Sequence, residues 1–196
     1  NAGTLTLRNS TGEGNTAAFD GGGIYNASVI EISNSTITGN EVELGRGGGL
    51  ASASAASLNN VTIYQNMASA HASDPVANLV DGSTGTMTIA NSIVAGGGGG
   101  PNCRGLIQSL GHNLEDASTC GFDAVGDITD LDPQLEPLSG NGSAVPTLLP
   151  APGSPAIDAG GPLTCETTDQ RGYPRPVDGN GDTIGICDIG AIEAGA

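Results

Sequence analysis

The chain has 196 residues, a formal net charge of −16, 33 glycines and no tryptophan or lysine. A charge of that sign and size argues against nucleic acid and against an anionic membrane surface, and it favours divalent cations or simple solubility. The glycine content argues against helix, and no apolar run is long enough to cross a bilayer.

In chain order, the sequence repeats itself. Leu5-Thr6-Leu7-Arg8-Asn9-Ser10 forms a partial first copy. Gly21-Gly22-Gly23-Ile24-Tyr25 opens a second copy, which closes with Asn34-Ser35-Thr36-Ile37-Thr38-Gly39-Asn40. Gly47-Gly48-Gly49-Leu50 opens a third, closing with Asn60-Val61-Thr62-Ile63-Tyr64-Gln65-Asn66, and Met87 to Val94 forms a fourth. Asn34 follows Asn9 by 25 residues, Asn60 follows Asn34 by 26, and Asn91 follows Asn60 by 31. A fixed period in the twenties marks a stacked, quasi-one-dimensional architecture. Within each copy apolar and polar residues alternate, as in a strand with one buried face. Leu7, Ile32, Leu58 and Ile89 fall in one column, and Ile37, Ile63 and Val94 in another.

This pattern predicts an all-β parallel β-helix, one turn per repeat, with successive turns about 4.8 Å apart. Like residues then stack on like. Asn9, Asn34, Asn60 and Asn91 are expected to form one hydrogen-bonded amide ladder, and Asn15, Asn40 and Asn66 a second. The glycine triplets are expected at sharp corners of positive φ. Residues 1–100 hold the regular turns, with an inserted loop at about 67–85 that offers a binding surface. From Pro101 the strands become irregular. Residues 101–196 are expected to add a final turn or two and then cap the open end of the stack, within the same domain.

Four cysteines lack metal-type spacing. Cys103 with Cys120 and Cys165 with Cys187 is the favoured pairing ahead of the other two connectivities, and it implies an extracytoplasmic home. Asn9, Asn26, Asn34, Asn60 and Asn141 begin glycosylation sequons. No signal peptide stands at Asn1, so the sequence reads as a mature product or a piece of a longer one.

The second half contains Gly153-Ser154-Pro155-Ala156-Ile157-Asp158-Ala159-Gly160, Asp169-Gln170-Arg171-Gly172-Tyr173-Pro174-Arg175-Pro176 and Cys187-Asp188-Ile189-Gly190-Ala191-Ile192-Glu193. With the upstream repeats, these blocks resemble the bacterial choice-of-anchor Q surface proteins. The resemblance covers nearly the whole chain. It implies a right-handed, single-stranded parallel β-helix of the pectate-lyase-like superfamily, secreted or displayed at the cell surface and without an assigned activity. Read from the residues, the blocks form a cap in which Arg171 and Arg175 pair with Asp158, Asp169 and Asp188.

Asp178-Gly179-Asn180-Gly181-Asp182 places oxygen ligands at alternate positions, which makes calcium a candidate ligand of Asp178, Asn180 and Asp182. No catalytic residue emerges. Lysine is absent, aromatics for sugar stacking are few, and no strand gathers Asp, Arg and His on one face. His112 reads as a hydrogen-bonding loop residue. The sequence therefore points to a non-catalytic extracellular structural or adhesive protein, calcium being its one candidate cofactor. Its expected partners are further copies or a neighbouring subunit stacked end to end at the N-terminal turn, or a cell-surface polysaccharide. The rival reading is a carbohydrate-active β-helix enzyme (lyase or hydrolase) or a sugar-binding module. A groove with paired carboxylates and an aromatic or two would favour that rival; a featureless polar flank would favour a scaffold.

Overall fold

The computed structural model describes residues 1–82 and 86–196. The end of the expected inserted loop, at Ser83 to Gly85, lies outside the described residues. The fold is all-β, and five successive repeats contribute three strand segments each. These are β1 (Leu5–Arg8), β2 (Thr11–Glu13) and β3 (Thr16–Ala17); β4 (Ile24–Asn26), β5 (Ile30–Thr38) and β6 (Glu41–Val42); β7 (Leu50–Ser52), β8 (Ala56–Tyr64) and β9 (Met67–Ala68); β10 (Leu79–Asp81), β11 (Met87–Ala90) and β12 (Ile93–Ala95); and β13 (Cys103–Arg104), β14 (Ile107–Ser109) and β15 (Leu114–Glu115). Among the described residues they form three sheets, ordered β1-β5-β8-β11-β14, β4-β7-β10-β13 and β3-β6-β9, with β2, β12 and β15 extending the first.

All pairing between named strands is parallel, and the register follows the sequence period. Leu5 pairs with Ile30, Ile30 with Ala56, Ala56 with Met87 and Met87 with Ile107. Alternation then sends Ile32, Leu58 and Ile89, with Ile37, Ile63 and Val94, into one buried aliphatic cluster. The second sheet adds Leu50, Leu79 and Cys103 to it. β-Branched and γ-branched side chains stacked on their own kind fill most of this interior.

The glycine triplets differ from expectation. Gly21 and Gly47 have positive φ, at 80° and 72°, but their neighbours do not. Gly22 and Gly48 are needed for close approach. A Cβ on Gly22 would collide with the backbone of Gly48 and Glu41, and one on Gly48 with Met67 and Ala77.

The two asparagine columns also part ways. Asn9, Asn34, Asn60 and Asn91 all adopt positive φ, between 44° and 51°. Asparagine tolerates this left-handed corner, which turns the chain between the two halves of the long strands. Ser33 pairs with Asn59 and Ser35 with Val61, so Asn34 and Asn60 occupy the same row. Their amides nevertheless bond outward to later segments and not to one another, which corrects the expected ladder. In the second column Asn15 Nδ2 donates to Asn40 Oδ1 and Asn40 Nδ2 to Asn66 Oδ1, both at 2.9 Å. Asn66 donates to Asn78 and Asn78 to Asn102, at 2.9 and 2.8 Å.

The second half does not simply cover the end of the stack. Residues 103–130 add the fifth repeat, and Cys120 and Phe122 join the main core. Residues 159–194 then run back across the outer face of the first sheet as a strap. Gly161 N donates to Asn91 Oδ1, Glu166 N to Asn60 Oδ1, and Asn34 Nδ2 to Thr168 O. Thr36 Oγ1 donates to Gln170 Oε1, and Gln170 Nε2 donates to Ser10 O and Thr11 Oγ1 in the first repeat. The strap thus crosses from the fourth repeat to the first. Beneath it Ile93, Ala95, Leu114, Ala156 and Ile189 form a second core.

Candidate functional site

Disulfides join Cys103 to Cys120 and Cys165 to Cys187. The second lies within the strap, beside a buried cluster of charge. Arg171 Nε donates to Asp169 Oδ2 at 2.7 Å, its NH2 to Glu193 O, and its guanidinium lies 4.7 Å from the Tyr173 ring centre. Arg175 pairs with Glu193 at 3.2 Å and donates to the carbonyls of Asp188 and Gly190, while its Nε has no partner.

Of the residues expected to pair with arginine, Asp158 and Asp188 do not. Asp188 accepts the backbone N–H groups of Asp158 and Ala194, and Asp158 accepts those of Asn180 and Ile186. The acid that faces Arg175 is Glu193, which the sequence reading passed over. Burial pushes the Asp188 carboxyl up to about 7, although the N–H groups of Ala194 and Asp158 pull against it. Burial also raises Glu193, and it lowers Arg175 against the pull of Glu193, Asp169 and Asp188. Asp169, Asp188 and Glu193 are fully enclosed. This cluster locks irregular backbone, and Arg175 also lines a hollow of about 200 Å³ with Cys165, Glu166 and Cys187.

The candidate calcium loop is folded by its own side chains. Asp178 accepts the N–H groups of Gly181 and Thr183, Asn180 that of Asp182, and Asp182 that of Ile184. No group of three or more His, Cys, Asp or Glu is placed to hold a metal among the described residues. His112, at φ 56°, meets Ala159 O at 2.9 Å and so anchors the start of the strap.

A different kind of surface lies on the opposite flank, at the corner between the second and third sheets. Three successive repeats place Asp20, Arg46 and Asp74 there, alternating in sign, and Arg104 reaches in from β13 of the second sheet, where it pairs with Val80. Asp20 Oδ1 accepts Arg46 N at 2.7 Å, and the Arg46 guanidinium lies 3.7 Å from Asp20 and 4.0 Å from Asp74. Arg104 reaches Asp74 at 2.8 Å. Asp74 comes from the inserted segment. Asp20 and Arg46 border two hollows of about 160 and 320 Å³, with Tyr25 in the first and Phe19, Leu44 and Asp74 in the second. Phe19 is 72% exposed and Tyr25 46%. Gly45 permits the arrangement, since a Cβ there would stand 2.5 Å from Asp20 N. The sequence pointed only to the inserted loop that carries Asp74, because the four charges are far apart in the chain and the inserted segment obscures the period between them.

No protein-family model matches the chain, and no curated protein or solved structure is significantly similar to it.

Proposed function

We propose that the chain is a right-handed, single-stranded parallel β-helix of the choice-of-anchor Q type, acting outside the cytoplasm as a non-catalytic structural or adhesive element. The observation that carries this reading is the fate of its charged blocks. Asp169, Arg171, Asp188 and Glu193, with both terminal nitrogens of Arg175 placed among them, bond to one another and to backbone groups, the arrangement of a structural lock. Two disulfides fit an oxidising compartment. Calcium at Asp178, Asn180 and Asp182 is not required by this reading.

The first repeat supports the further proposal that copies associate end to end. β1 stands at the end of its sheet, and Leu5 is exposed beside it. A strand with one unpaired edge is a template for another strand. Sedimentation velocity over the micromolar range, with electron microscopy of the same samples, tests this. Concentration-dependent linear particles are expected, reduced by Leu5→Lys, whereas a monomer throughout that range would overturn the assembly reading.

A further inference from the structure

We propose that the flank carrying Asp20, Arg46, Asp74 and Arg104 is a saccharide-binding site, suited to neutral or weakly charged glycan chains. The proposal rests on the adhesive reading and gives it a ligand class.

Its chemistry is that of sugar recognition. A sugar ring presents apolar C–H faces and, at its rim, neighbouring hydroxyl groups that both donate and accept. Phe19 and Tyr25 offer aromatic faces to the first, with Leu44, 50% exposed, beside Phe19 in the same hollow. Carboxylates and guanidinium groups offer paired acceptors and paired donors to the second. Here they alternate along the stack, so a hydroxyl pair meets both kinds at each step. Each repeat advances the surface by about 4.8 Å, close to the length of one sugar ring, and the alternation of Asp20, Arg46 and Asp74 spans three repeats. An extended glycan laid along the stack would find equivalent contacts repeatedly.

The charge balance selects the class of glycan. Along the flank two carboxylates and two arginines are paired with one another. The chain as a whole carries −16, a field that repels polyanions. Uronic-acid and sulfated polymers are therefore disfavoured against neutral ones. An acidic peptide is disfavoured for the same reason. The charges could serve only to pin the segment that carries Asp74, but that role gives no part to Phe19 or Tyr25, and the test exploits this.

The experiment titrates the full chain with neutral oligosaccharides (β-linked glucan, mannan and galactan), with oligogalacturonate, and with a mixed-sequence peptide pool. Binding of at least one neutral oligosaccharide is expected, with weaker or no binding of the uronate. The double variant Phe19→Ala/Tyr25→Ala should weaken binding about tenfold or more while keeping the wild-type melting temperature. Val125→Ser, on a different exposed surface, should bind as wild type. Loss of all neutral binding in the wild type, equal binding by the double variant, or binding of peptide alone would each overturn the proposal. The outcomes separate from those of the assembly reading: a monomer that binds sugar spares this site, and an assembly that ignores every neutral sugar spares the other.

Discussion

Arg175 makes three of its contacts from a nearly sealed position, and its side chain is 1% exposed. Replacing it with Met would leave Glu193 enclosed without its cation. The expected loss is about 3–5 kcal/mol of stability, read from urea denaturation, with Lys a poor substitute because it lacks the planar fork that reaches both Asp188 O and Gly190 O. Asp188 makes a second, pH-dependent prediction. Its carboxyl ionises near 3.8 when unfolded and is pushed up to about 7 in the native protein. The native chain therefore holds a proton there, between those values, that the unfolded chain has released. Stability declines as pH rises through that window, and the penalty is complete above it. Urea midpoints at about pH 5 and about pH 8 should differ more for the wild type than for Asp188→Asn, where this titration is gone. At this scale the sequence was only partly legible. Arginines among aspartates in an acidic chain announce a lock, but Glu193 and Asp188 differ in role only through which backbone N–H groups face them, and local sequence does not encode that.

At the scale of elements, the second asparagine column carries hydrogen bonds from repeat to repeat. Asn66 accepts from Asn40, donates to Asn78 and also donates to Ile37 O. Asn66→Ala should cost about 1–3 kcal/mol, because it strands buried partners on both sides, and thermal denaturation will show it. The strap gives a second element-level prediction. Removing the Cys165–Cys187 disulfide, which spans 22 residues, should cost about 3 kcal/mol. Amide exchange should then rise across residues 159–176 before it rises in β5 or β8. The parallel strands themselves could be read from the period, because like residues recur at intervals of 25 and 26. The extension of the amide column to Asn78 and Asn102 could not, because Asn78 follows Asn66 by only 12 residues, half a period. The course of the strap could not be read either. It follows side chains such as Asn34, Asn60 and Asn91, whose left-handed backbone turns their amides outward, and a repeat of identical residues does not say which way they face.

For the whole molecule, charge and connectivity set the behaviour. A surface at −16 repels itself, so moderate sodium chloride should raise the melting temperature as screening shortens the reach of that repulsion. The exposed ion pairs Arg46–Asp20 and Arg104–Asp74 should weaken slightly in the same titration, a minor opposing effect. Stacked repeats ordinarily contact only their neighbours and can melt from one end. Here Gln170 grips Ser10 and Thr11, Pro146 accepts the Thr11 hydroxyl, and Gly161 holds Asn91. Fraying of the first repeat therefore requires the strap to lift as well, and calorimetry should show a single transition. The same ties bear on synthesis: the first repeat waits for residues made 135 to 160 positions later, so a nascent chain leaving the ribosome can stack these strands but cannot seal the first repeat until residues 146–170 have followed.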